Sequence, residues 1–332
     1  MHRDLQEVLA CPACYGRLDL RADREAEGEI ETGGLRCAAC AADYPIVAFV
    51  PRFVPPDNYS KSFGFQWNRF RRTQLDSTTG HPISRDRFFA QSAWLPGELA
   101  GRRTLDLGCG AGRFAEVALS TGTRLVAVDY SSAVDACRAN LGPHPRLDVV
   151  QADVYRLPFI RSRFDFVYCF GVLQHTPDVQ AAFAALAKQL APGGRLAVDL
   201  YPELLLNRLW PKYWLRPFTK RVAPQRLLPV VSRMVDVLWP LSLALGRVPG
   251  IGRKLRHLLP VVNYEGILPL PAVQLKDWAV LDTFDMLAPA HDQPQSVETL
   301  ATWFRDARIA DAEVFRRGLV VGRGRRAHGA ES

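Results

Sequence analysis

Four cysteines near the start of the chain stand in two pairs, Cys11-Pro-Ala-Cys14 and Cys37-Ala-Ala-Cys40, with 22 residues between the pairs. Thiolates with two residues between them on a tight knuckle converge on one point, and two such pairs supply the four ligands of a tetrahedral Zn2+. Four thiolates leave no position for water, so the expected metal is structural. The competing chemistry, a redox CxxC, needs a strand–helix unit around one pair, and neither pair has one.

A second constellation is Leu105-Asp106-Leu107-Gly108-Cys109-Gly110-Ala111-Gly112. A glycine turn that opens a helix lets the backbone approach a ligand and offers unpaired N–H groups. The spacing is G-x-G-x-G, and Arg113 fills the slot where a dinucleotide fingerprint needs its third glycine, which argues against a nicotinamide cofactor. Asp129, 21 residues after Gly108, is placed to accept both hydroxyls of a ribose, and Asp153 to face an adenine amine. With Asp106, these acids are expected at the carboxyl ends of three strands, facing one crevice. His175 has two readings: a base for a hydroxyl acceptor, or a helix-entry residue packing on the pocket wall.

The elements that must position these groups alternate. Strands are expected over residues 104–107, 124–128, 147–151, 164–170 and 195–200, and helices over 113–119, 133–141 and 179–190, the last stopped by Ala191-Pro192-Gly193-Gly194. That succession implies a parallel sheet with helices on both faces. Phe63, Trp67 and Phe70 fit an aromatic-faced helix, and another is expected over 85–94. A helix capped by Ser296 and a hairpin of strands 312–315 and 319–321 close the pattern. The domains expected are 1–50, the metal module with a charged hairpin tip at 21–34; 51–100, linker and helices; 101–201, the core; 202–295, an insertion; 296–322, the end of the core; and 323–332, a disordered tail.

At these residues the core resembles class I S-adenosylmethionine-dependent methyltransferases of the ubiquinone/menaquinone-biosynthesis type. The matching stretches are residues 105–112, 127–131, 151–153, 164–175 and 190–200. The resemblance implies an α/β Rossmann-like, doubly wound, mostly parallel seven-stranded sheet ending in an antiparallel hairpin. It further implies that Gly108, Gly110 and Gly112 cradle the methionine end of the cofactor, and Asp106 is expected among the cofactor-binding residues with them. Asp129, with Tyr130 and Ser131, would hold the ribose, Asp153 with Val154 the adenine, and the backbone at Phe170-Gly171 the ammonium group. The Asn/Asp-Pro-Pro-aromatic motif of amino-methylating nucleic-acid enzymes is absent after the fourth strand, as is a Pro-Cys nucleophile; Cys169 reads as a buried strand residue. The module is similar to the zinc ribbon that activates tRNA and translation-factor methyltransferases, and to the ribbon that begins bacterial rRNA guanine methyltransferases.

Charge points to the acceptor. Residues 204–264 hold eleven Lys/Arg against one acid, Asp236, which exceeds the net charge of +8 for the whole chain. The segment is expected to form a lid mixing cations with Trp210, Tyr213, Trp214, Phe218 and Trp239. Such a lid suits an anionic small molecule or lipid-like acceptor, an anionic membrane surface, or RNA. It also suits a solvated helical cap whose arginine stems cover core surface. Three functions follow: a small-molecule methyltransferase, an RNA methyltransferase, and a non-catalytic cofactor-binding scaffold. The start lacks the basic and apolar regions of a signal peptide, and the longest apolar run, 237–245, is interrupted by Pro240 and about half the length of a membrane span. A cytoplasmic protein is expected, peripheral at most to the inner membrane face.

Overall fold

The computed structural model describes residues 1–55, 58–204 and 210–327. A 3-10 turn at Arg3–Glu7 leads into β1 (Leu18–Ala26), β2 (Glu29–Cys37), β3 (Asp43–Val47) and β4 (Val50–Pro51), which form an antiparallel sheet in that order. The reversal between β1 and β2 is confined to Glu27-Gly28, so the stretch expected as a hairpin tip is mostly paired strand. Cross-strand pairing of alternating residues there satisfies the backbone better than a long charged loop would.

Helices α1 (Lys61–Arg69), α2 (Asp76–Thr79), α3 (Ile83–Ser92) and α4 (Pro96–Leu99) precede the core. Next come β5 (Arg103–Leu107), α5 (Arg113–Ser120), β6 (Arg124–Asp129), α6 (Ala133–Leu141), β7 (Leu147–Gln151), β8 (Phe164–Phe170), α7 (Val179–Ala187) and β9 (Leu190–Leu200). The insertion supplies α8 (Pro211–Thr219), α9 (Pro224–Gly246), α10 (Gly252–Arg256) and α11 (Ala272–Leu287). Finally α12 (Val297–Asp306), capped by the Ser296 hydroxyl, leads to β10 (Ile309–Arg317) and β11 (Leu319–Arg326).

The large sheet runs β10-β11-β9-β8-β5-β6-β7. The five neighbouring strands from β9 to β7 are parallel, and β11 returns antiparallel beside β9. The order reverses at β5, so the crevice for a ligand opens above β5 and its neighbours. Both faces of the sheet are buried, which is why β6 and β8 read as nearly continuous apolar runs, while β5 buries the polar Thr104 and Asp106 among its leucines. One apolar cluster joins Leu18, Ile30 and Leu35 of the module to Val128, Phe159 and Val198 of the core.

Four sequence expectations need correction. Helix α7 ends at Ala187, and β9 begins at Leu190: Gly193, at φ +75°, lets the chain bulge while Leu190 stays paired with Phe164. The third strand ends at Gln151, and Asp153 caps the following turn, Val154–Arg156, by accepting from the Tyr155 N–H. The tail is ordered through residue 327, since Arg325 pairs with Arg195 and the Arg326 guanidinium donates to Ser162 Oγ and the Leu190 carbonyl; residues 328–332 lie outside the described residues. Pro240 does not interrupt its helix. α9 runs through both Pro229 and Pro240, because packing of Leu227, Val231 and Val235 outweighs the hydrogen bonds each proline removes. By length and composition, α9 is apolar enough to cross a membrane.

Candidate active site and metal centre

In the module, the knuckles before β1 and after β2 bring all four cysteine sulfurs within 4.8 Å of one another. Cys11 and Cys40 lie 3.7 Å apart, and Cys14 and Cys37 3.5 Å. A tetrahedron of thiolates about 2.3 Å from zinc has edges of about 3.8 Å, so the donor set fits a structural zinc ion. A disulfide would need its sulfurs about 2.05 Å apart.

Above the strand ends lies a cavity of about 900 Å³. Its floor begins with the loop after β5. Gly108 sits at φ +79°, where a Cβ would come within 2.3 Å of Val172; Gly110 sits at φ +51°, where a Cβ would meet the Trp67 indole at 3.2 Å. The Gly110 N–H donates to Asp129 Oδ2 at 3.0 Å, while the Ser131 N–H and Oγ both donate to Asp129 Oδ1, at 2.8 and 2.7 Å. These bonds fix the Asp129 carboxylate at the cavity wall with lone pairs to spare. Burial raises its pKa above the ordinary carboxylate value, opposed by the Ser131 and Gly110 donors.

The other expected residues divide. Tyr130, Val154, Phe170, Gly171 and His175 line the same cavity. Gly112 does not; its Cα packs against Leu141 and Cys137, where no Cβ fits. Ser131 is buried behind Asp129, and Asp153 does not line the cavity; one of its carboxylate oxygens caps the turn by accepting from the Tyr155 N–H. Asp106 lies beneath the loop at 2% exposure, beside the Tyr168 ring; burial pushes its carboxyl up to about 8. Of the three acids expected to face one crevice, Asp129 alone lines it. The Gly171 N–H donates to Asp199 Oδ1 at 2.5 Å, and Asp199 is held from the other side by Arg87 at 2.7 Å.

Several lining groups carried no motif. Trp67 of α1 covers Gly110, and Tyr59 packs on Tyr130 with ring centroids 4.9 Å apart. From α11, Asp282 and Asp285 enter the cavity three residues apart. Gln66 and the Tyr201 hydroxyl donate to Asp285, while Gln74 and the Tyr264 hydroxyl donate to Asp282. Burial pushes Asp282 up to about 7 and lowers Arg113 to about 10, the latter helped by the Arg87 charge. Asp282 and Asp285, spaced i, i+3 among the apolar residues of the second half of α11, are a readable signal for this wall.

The insertion roofs the cavity through Trp210, Pro211, Lys212 and Tyr213, and through residues around Arg256 and Tyr264. Its cations do not all face a ligand. Lys212 pairs with Asp292 at 3.1 Å, Arg216 donates to the Met286 and Pro289 carbonyls, and Arg256 donates to the Glu265 carbonyl.

The strand order, its reversed last strand and the glycine loop after β5 define a class I S-adenosylmethionine-dependent methyltransferase domain. Residues 105–198 match the family model described as a methyltransferase domain, and residues 2–47 match that of Trm112p-like protein. The chain is 35% identical over 100 residues to a ubiquinone biosynthesis O-methyltransferase of Thiobacillus denitrificans, covering 29% of this chain and 43% of that protein. It is 34% identical over 122 residues to the biotin biosynthesis bifunctional protein BioHC of Cellvibrio japonicus, covering 35% and 24%. The match thus spans less than half the length of these relatives. Among solved structures, a complex of the Haloferax volcanii Trm112 methyltransferase activator with a putative methyltransferase matches with a TM-score of 0.46 and 15% identity, covering 81% of this chain and 99% of that one. Magnesium protoporphyrin IX methyltransferase from Synechocystis with bound SAH matches at 0.44 and 17%, covering 81% and 97%.

Proposed function

We propose that this protein is a cytoplasmic enzyme that transfers a methyl group from S-adenosylmethionine to a small-molecule or lipid-like acceptor by direct in-line displacement. The observation that carries the reading is the Gly110–Asp129–Ser131 arrangement on the wall of a roofed cavity. When bound, the cofactor supplies an activated methyl on sulfur. The chain's own contribution is alignment and exclusion of water. Asp129 accepts the ribose hydroxyls, Gly108 and Gly110 allow close backbone approach, and Val154 and Tyr130 flank the base. Trp67 and the insertion close the space above.

A hydroxyl acceptor loses a proton, and His175 is the group positioned to take it. Its Nε2 is buried, has no hydrogen-bond partner among the described residues, and belongs to a cavity-lining side chain. The roof joins apolar Trp210 and Val261 to the polar Tyr264–Asp282 pair, which suits a mostly apolar acceptor with a polar reacting end. RNA is the second reading, favoured by exposed cations on the insertion and by the Trm112-like module. Labelled methyl transfer to lipid and RNA extracts tests both. A small-molecule acceptor predicts label in the organic phase, whereas RNA predicts nuclease-sensitive label and steep salt dependence. Cofactor binding without label in either phase would leave the scaffold reading.

A further inference from the structure

The insertion turns one side of its helices inward and leaves the other bare. On α9, Leu227, Val231 and Val235 are buried in the cluster that includes Ala279 and Phe284 of α11. Val230, Val237 and Leu241 are 63%, 59% and 47% exposed, and their spacing of seven and four residues makes them one stripe. Phe218 at the end of α8 and Leu258 after α10 are more exposed still. Around this stripe, Lys220, Arg221, Arg226, Arg233, Arg247 and Lys254 are exposed, and no carboxylate pairs with any of them among the described residues.

We propose that this face of α8–α10 docks on an anionic lipid bilayer, with α9 lying in the plane of the headgroups. Aliphatic side chains ringed by cations match the two layers such a surface offers: acyl chains below and phosphates above. α9 is long enough to span a bilayer, but one of its faces is occupied by α11, and Arg226 and Arg233 lie beside the exposed stripe. It therefore lies flat. RNA would use the cations and the exposed Phe218 ring but gains nothing from the bare Val and Leu of α9, because bases stack on aromatic or guanidinium planes. A second copy of the chain would bring the same cations face to face. The cavity roof belongs to the same segment: Trp210, which lines the cavity, stacks on exposed His257, next to Leu258, so the roof adjoins the docking face. Docking deepens the proposed function by giving a lipid-like acceptor its route in, yet membrane binding can be measured without any acceptor.

The test is flotation of the full chain with phosphatidylglycerol/phosphatidylcholine vesicles and with pure phosphatidylcholine vesicles, with calorimetry of S-adenosylmethionine binding for each variant. The protein should float with the anionic vesicles only. Arg226→Glu combined with Arg233→Glu should weaken partition by at least roughly tenfold, since each surface cation contributes about fivefold. Val237→Asp combined with Leu241→Asp should abolish the fraction of binding that survives high salt. Equal binding to both vesicle types, no binding to either, or variants that float like the wild type would overturn the proposal. So would tRNA that strips the protein from vesicles while binding the aliphatic variant undiminished. Flotation without any cofactor binding would sustain docking and sink the methyltransferase reading instead.

Discussion

The Nδ1–H of His175 donates to the main-chain carbonyl of His291 at 3.0 Å. A carbonyl only accepts, so the neutral ring carries its proton on Nδ1 and leaves a lone pair on the buried Nε2. Phe63 and Tyr201 hold the ring, with centroids 5.1 and 5.5 Å away. If this lone pair accepts the acceptor's proton, His175→Ala should lower kcat by roughly 10²–10⁴-fold without weakening cofactor binding. Partial rescue by added imidazole would separate this role from simple packing.

Asp129→Ala should weaken S-adenosylmethionine by more than roughly a hundredfold, as two charge-assisted hydrogen bonds of about 1.5–3 kcal/mol each are removed. Gly110→Val should abolish binding, because its Cβ must crowd the Trp67 indole from a left-handed backbone. Calorimetry reads both, and wild-type affinity in either variant would refute the site.

The purified protein should hold about one zinc per chain. Cys37→Ser should lose the metal and lower the melting temperature, because metal binding and folding of such a module are coupled. Elemental analysis of chelator-free preparations is the check.

What the sequence made legible was local. The boundaries of α6, β7 and β8 could be read directly, because strand and helix periods alternate cleanly there and glycine or proline marks the ends. Cys11, Cys14, Cys37 and Cys40 announced themselves by spacing. Asp106 was misplaced because a strand-end acid looks the same whether it faces the crevice or lies beneath the loop. The Asp282–Tyr264 pair was invisible because its members come from separate elements that only tertiary packing brings together. The cations of the insertion looked like one population. Arg216 and Lys212 are consumed by the scaffold, while Arg226 and Arg233 remain outside.

The module is locked to the core by Glu29, which accepts from both the Met1 ammonium and Arg138 at 2% exposure. Arg138→Ala should therefore destabilise the fold by about 3–5 kcal/mol, leaving a buried carboxylate short of its partner. Burial alone would raise the Glu29 pKa, but Arg138 and the N-terminal ammonium hold it below the ordinary value. A depressed folded pKa gives stability that is complete above the unfolded value and is lost as pH falls through the folded one. Acid melts should show that loss below pH about 4.5 in the wild type, and less of it in Glu29→Gln.

Asp106 should behave in the opposite sense. With its folded pKa near 8 against 3.8 for an ordinary aspartate carboxyl, the native state keeps a proton that the unfolded chain releases. Its contribution to stability therefore declines as pH rises from about 4 towards 8. Asp106→Asn should flatten that decline in thermal melts while leaving cofactor affinity intact.

The seven-stranded sheet ends on β7 at one side and β10 at the other, and open edges of this kind invite strands from neighbouring molecules. At β7 the chain leaving the module closes the gap: the Phe53 N–H donates to the Gln151 carbonyl at 2.8 Å, and Arg52 bridges to Gln151. At β10 the ladder slips between Ala310 and Glu313, and exposed Asp311, Glu313, Arg316 and Arg317 stud the strand. The ribbon thus acts as a selvedge. A chain stripped of its first 53 residues would bare the end of β7 nearest the crevice, and its first failure would be self-association in the test tube.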